Sequence, residues 1–152
     1  MKKSILAIGL LLVTLLCAGC MGRDSLPIEQ IDWEMTVVQE SEQGNIVAVS
    51  AMEQEKYSHT HAKVLNLTCS FTGMDFVITD VDSGKSWRGT CSEIEKGLRQ
   101  DTIYEAVYED GSKGLASSGI TTYADGSEEG TLIFTSEEYS ITFRGDLPNA
   151  EG

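Results

Sequence analysis

The chain has 152 residues, with 11 Lys and Arg against 24 Asp and Glu and a formal charge of −13 at pH 7. That length holds one domain with a real core and not two. A surface so acidic repels phosphates and anionic headgroups, which excludes nucleic acid as a partner.

Taken in chain order, residues 1–19 have the three-part layout of a secretory signal. Lys2 and Lys3 give a positive start, and Ile5 to Leu16 form an uncharged apolar stretch. As a helix those residues rise only ~18 Å, too little to span a hydrocarbon core of ~30 Å. Small residues, Ala18 and Gly19, close the segment before Cys20. Its removal takes two lysines and no acid, leaving nine basic residues against 24 acids, or −15, on 133 residues. The remaining basic residues are scattered and form no run, so the acidity reads as a solvated surface.

Residues 21–32 (MGRDSLPIEQID) have mixed polarity and no period, and read as a tether; residues 145–152 (GDLPNAEG) read as a frayed tail. Between them, across 33–144, β-branched and aromatic runs alternate with Gly-bearing turns, and no helical period runs for ten residues. Turns are predicted at Gln43-Gly44-Asn45, Thr72-Gly73, Ser83-Gly84, Asp110-Gly111 and Asp125-Gly126. Strands are predicted over 33–40, 46–51, 64–70, 75–81, 86–92, 102–109, 114–123, 129–135 and 139–144. The expected fold is all-β, an antiparallel meander of about eight or nine strands closing into a barrel, with a two-sheet β-sandwich as the alternative.

Turn positions decide which residues share a face, because side chains alternate along a strand. A two-residue turn at Thr72-Gly73 sets Cys69 opposite Phe76 and Leu67 opposite Ile78; one at Ser83-Gly84 sets Phe76 opposite Cys91 and Ile78 opposite Gly89. Leu65, Leu67, Cys69, Phe76, Ile78, Trp87 and Cys91 then share one face, and a mostly polar set (Asn66, Thr68, Ser70, Thr79, Ser86, Arg88, Thr90) takes the other. In the C-terminal half, a turn at Asp125-Gly126 sets Ser117 opposite Phe134 and Gly119 opposite Leu132. A turn at Ser136-Glu137 adds Phe134 opposite Tyr139, Leu132 opposite Ile141 and Gly130 opposite Phe143. Large residues facing Ser117, Gly119 and Gly130 would fill the concave side of a curved sheet.

In that register Cys69 and Cys91 lie at one height with the Phe76 strand between them, ~10 Å apart at ~4.8 Å per strand. A disulfide needs less than ~7 Å, so they are expected to be free buried thiols. A sandwich that folded one strand over the other would leave the bond open.

Candidate chemistry is thin. His59-Thr60-His61, the only histidines, would project from one side if extended, and zinc would need further ligands from Glu53, Glu55, Cys69 or Cys91. The stretch from Ala51 to Lys63 reads as a polar loop or short helix before a strand, so a solvated loop is preferred to a metal site. Asp80-Val81-Asp82-Ser83-Gly84 starts like a calcium loop, but Lys85 and Cys91 stand where the glycine and final acid belong. Gly114-Leu115-Ala116-Ser117-Ser118-Gly119 lacks the spacing of a nucleophile elbow. No catalytic set and no cofactor are expected.

Two resemblances add to this. Cys17-Ala18-Gly19-Cys20 resembles the lipobox of bacterial lipoproteins, although Cys17 stands where leucine is usual and Leu16 lies one step earlier. The resemblance implies cleavage before Cys20, a diacyl or triacyl (palmitate-type) modification on that cysteine, and lasting attachment to an envelope membrane on its extracytoplasmic side. Which membrane carries it stays open, Met21 not being the aspartate that retains some lipoproteins at the inner one. The strand meander over 33–144 is similar in architecture to lipocalin-type barrels, without their Gly-x-Trp, since Trp33 follows Ile31-Asp32. The function expected first is a non-catalytic binding or interaction domain displayed on a lipid anchor, its partner a small ligand or an envelope protein. An accessory or inhibitory protein using its loops is the second, and a metal-assisted enzyme at His59 and His61 the third.

Overall fold

The structure is a computed structural model, and it describes residues 25–97 and 101–148. A single 3-10 turn, Ile28–Gln30, precedes ten strands: β1 (Trp33–Glu40), β2 (Ile46–Val49), β3 (Lys63–Val64), β4 (Leu67–Thr72), β5 (Asp75–Asp80), β6 (Ser86–Lys96), β7 (Thr102–Tyr108), β8 (Lys113–Thr122), β9 (Glu128–Thr135) and β10 (Tyr139–Gly145). From β4 to β10 each strand lies antiparallel beside the next, and β10 returns to β1 over Glu34↔Arg144 to Glu40↔Tyr139. β1 then meets β4 through Trp33 and Glu34. The sheet closes on itself into a lipocalin-like barrel of eight antiparallel strands with two strands added, and no sandwich forms.

The two additional strands give the barrel unequal ends. Beyond Glu34, β1 leaves β4 and pairs with β2 through Val37, Val38 and Gln39. β2 in turn pairs in parallel with β3, which runs on toward β4. A strand's width, ~4.8 Å, is thereby added to the circumference where β1 finishes. The predicted strand 64–70 is thus two pieces. The break falls at Leu65-Asn66, where the Asn66 side chain accepts from the Ala51 amide (3.2 Å) and donates to Asp82 (3.0 Å).

Several predicted registers need correction, and loop length explains each. The β4–β5 turn is Gly73-Met74, with Gly73 at φ +61°, so Cys69 faces Ile78 and Phe71 faces Phe76. The β5–β6 loop is longer, closed by Asp80 and Lys85, so Phe76 faces Gly89 and Ile78 faces Trp87. Turning on Glu137-Glu138, β9 and β10 set Phe134 against Ile141 and Leu132 against Phe143. Each of these slips is two residues and leaves the buried face unchanged. The β8–β9 loop slips by one, because Ala124-Asp125-Gly126 forms a three-residue loop closed by Tyr123 and Ser127. Ala116 and Ser118, not Ser117 and Gly119, therefore face Phe134 and Leu132 and are buried.

The narrow half is solid. Trp33, Met35, Phe76, Ile78, Leu132, Phe134 and Phe143 are its largest buried side chains. Phe134 is central, 4.8 Å from the Phe76 ring centroid, 6.2 Å from Phe143 and 6.5 Å from Phe71. Such pairs contribute ~0.5–1.5 kcal/mol each beyond the area they bury. Gly89 and Gly130 make room for these rings: a side chain at Gly89 would run into Phe76, and one at Gly130 into Trp33.

Both expected chain ends are partly ordered into the fold. Leu26, Ile28 and Ile31 are buried over the narrow end, and the Trp33 indole N–H donates to the Ile28 carbonyl at 2.9 Å. Apolar side chains inside a polar-looking stretch turn the expected tether into a plug from Leu26 onward. At the C-terminus β10 runs through Gly145 and Leu147 packs against the core, which shortens the expected tail.

Candidate functional site

The wide end is an open mouth. Four turns ring it, those between β1 and β2, β5 and β6, β7 and β8, and β9 and β10. Below them is a cavity of about 640 Å³ with a floor of Ile78, Phe134 and Ile141 and walls that include Val38, Leu65, Trp87, Tyr108 and Tyr139. That size suits a small molecule. Trp87 and Tyr139 are 37% and 44% exposed, unusual for rings on the inward side of a barrel. Lys63, Asp110 and Glu138 are the charged residues of the lining.

The polar rim is held in place by its own turns. Ser112 donates to the Asp110 carboxylate from its hydroxyl (2.6 Å) and its amide (2.8 Å). Those bonds hold the Asp110 carboxyl below its ordinary value, so it stays ionised at the rim. Ser41 binds the neighbouring turn twice, through its hydroxyl to Ser136 O (2.8 Å) and its amide to Glu138 O (2.9 Å). On the wall, burial pushes the Tyr108 hydroxyl up to about 12, which keeps it a neutral donor.

The other predicted candidates do not gather into a site. Cys69 and Cys91 are free and buried inside the barrel, with Cys91 hydrogen-bonded through its amide to Met74 O rather than level with Cys69. Burial raises both thiols, Cys91 to about 12. His59 and His61 are exposed in the connection between β2 and β3, whereas both thiols are buried. Among the described residues no group of three or more His, Cys, Asp and Glu is placed to hold a metal. The calcium-like stretch is a hairpin turn whose Asp80 carboxylate is taken up by the Asp82 and Ser83 amides and the Ser83 hydroxyl. Cys20 lies outside the described residues, and among those described no helix is long and apolar enough to cross a membrane.

Tyr108, Tyr139, Lys63 and Glu138 were not singled out in the sequence, yet a signal exists for all but Lys63, which follows the long β2–β3 connection. Alternate turns of a meander fall at the same end of a barrel, so residues flanking those four turns must meet. Comparison of the chain with protein-family models, with curated proteins and with solved structures finds no match.

Proposed function

We propose that the chain is an exported lipoprotein, held by lipid on Cys20 at the extracytoplasmic side of an envelope membrane, and that its barrel binds a small molecule at the mouth without chemistry. One observation carries the binding half: an apolar cavity with two exposed aromatic rings, left open where the rest of the barrel is filled. Soluble domains seldom leave such surface uncovered unless something occupies it. The lipobox-like Cys17-Ala18-Gly19-Cys20 and the charged and apolar segments before it support the anchor.

The two halves are tested together by one variant. Cys20→Ala is expected to move the protein from the membrane to the soluble fraction or to leave an unprocessed precursor. The soluble form should shift its tryptophan emission on titration with a neutral n-alkanol, through Trp87 at the mouth. Unchanged fractionation and mass refute the anchor; no response to any alkyl probe, neutral or charged, refutes the binding role.

A further inference from the structure

Beside the apolar mouth lies a second cavity of about 630 Å³, between the β1–β2 and β9–β10 turns. Its lining contains Glu40, Glu42, Glu137 and Glu138 and, among the described residues, no basic one. Glu138 and Tyr139 line both cavities, so the two adjoin at the Tyr139 ring. None of Glu42, Glu137 and Glu138 forms an ion pair among the described residues. From the charge complement of this apolar cavity we infer that its occupant is a cationic amphiphile, with its apolar body in the mouth and its cationic head among the four glutamates. This rests on the binding role proposed above and adds the chemical class of the ligand.

The arrangement discriminates by charge in three ways. Each unit of positive charge within a few ångströms of several carboxylates gains Coulomb energy that a neutral head does not, and an anionic head is repelled. The Tyr139 ring, 44% exposed at the junction, offers a π-face to a cation, as Trp87 already does to the Lys85 ammonium 4.8 Å from its centroid. The Ser41 bonds fix one acidic turn against the other, so little order has to be created on binding. Among the described residues Lys63 is the one cation in the lining of the mouth, and it lies in the apolar cavity, not in the acidic one.

The test uses the full chain carrying Cys20→Ala and three probes of one alkyl chain length below their micelle concentrations. These are an n-alkyl trimethylammonium, the n-alkanol and the n-alkanoate, titrated by tryptophan emission and calorimetry. The ammonium probe is expected to bind about tenfold more tightly than the alkanol, and the alkanoate most weakly. That preference should shrink several-fold with added salt and in Glu137→Gln/Glu138→Gln, and persist in Glu95→Gln/Glu128→Gln, which removes the same charge at the narrow end. Equal binding of the three probes, or preference for the alkanoate, overturns the cationic ligand while leaving the mouth a binding site. Equal loss in both double variants also overturns it, since net charge alone would then explain the preference. If none of the three binds, the binding role fails as well.

Discussion

Exchanging one residue for leucine at two neighbouring positions of β8 separates the two possible registers of the C-terminal half. Ala116 is 1% exposed, opposite Phe134 on β9 and Tyr104 on β7. Adding a leucine's extra carbons there forces rings off their rotamers, at ~1–3 kcal/mol for an overpacked core. Ser117 lies on the outer face between Ile103 and Ile133, so Ser117→Leu places an apolar side chain among apolar cross-strand neighbours. A cross-strand gain of ~0.2–1 kcal/mol is the expected scale. With a urea m-value of ~1–3 kcal/mol/M, a loss of ~2 kcal/mol moves the unfolding midpoint down by about 1 M. Equilibrium urea unfolding by far-UV circular dichroism should therefore show a lower midpoint for Ala116→Leu and an equal or higher one for Ser117→Leu. The opposite order would mean that Ser117 faces Phe134 and that the three-residue loop is wrong.

The thiols and the turn aspartates give pH dependences of opposite sign. Cys91 holds its proton to about 12, whereas an unfolded thiol ionises near ~8.5. The stability this contributes is full below ~8.5 and is lost as pH rises toward the folded value. Cys69→Ala/Cys91→Ala should flatten that alkaline fall in the urea midpoint, and an unchanged slope would refute it. Asp110 and Asp125 are lowered by hydrogen bonds from Ser112 and Ser127. Their contribution is present above the unfolded value of ~3.9 and is lost as pH falls through the lower folded one. Asp125→Asn should reduce the acid-side fall in melting temperature, and a scan identical to the parent would exclude the linkage.

What the sequence made legible was parity, and what it hid was loop length. Leu67, Cys69, Phe76, Ile78 and Cys91 were placed on the buried face although every opposing partner was wrong, since two-residue slips leave inside and outside unchanged. At Asp125-Gly126 the same logic failed. The dipeptide fits a two-residue turn, but the following Ser127 gives the Asp125 carboxylate two more donors, at 2.7 and 3.0 Å, and those bonds favour one more residue in the loop. Asp110-Gly111-Ser112 repeats the pattern with the same bonds. The plug was hidden for another reason: Leu26, Ile28 and Ile31 are too few and too interrupted by polar residues to form a period. Their burial depends on a barrel end that exists only once β1 and β10 have closed. The mouth was least legible, because it depends on β2 pairing in parallel with β3, a pairing that no local turn specifies.

The unequal ends bear on how the proposed anchor and the proposed binding site relate. The chain enters at the plugged end: Leu26 is buried there, and β1 runs from Trp33 toward the mouth. If the lipid is on Cys20, Leu26 follows six residues later, within at most ~20 Å of chain, a shorter reach than the tether the composition suggested. β8, with ten residues, measures the wall at ~33 Å along the strand, or ~25 Å of height at a tilt of ~40°. If the proposed anchor holds the barrel upright on its plugged end, the mouth would open ~25 Å above the bilayer, beyond a Debye length of ~8 Å at physiological salt. At that distance the surface potential of the lipids neither supplies nor screens what the acidic rim sees. A cationic amphiphile would be met in the aqueous compartment, and its apolar body would pass directly from water to the cavity formed by Trp87, Tyr108 and Tyr139.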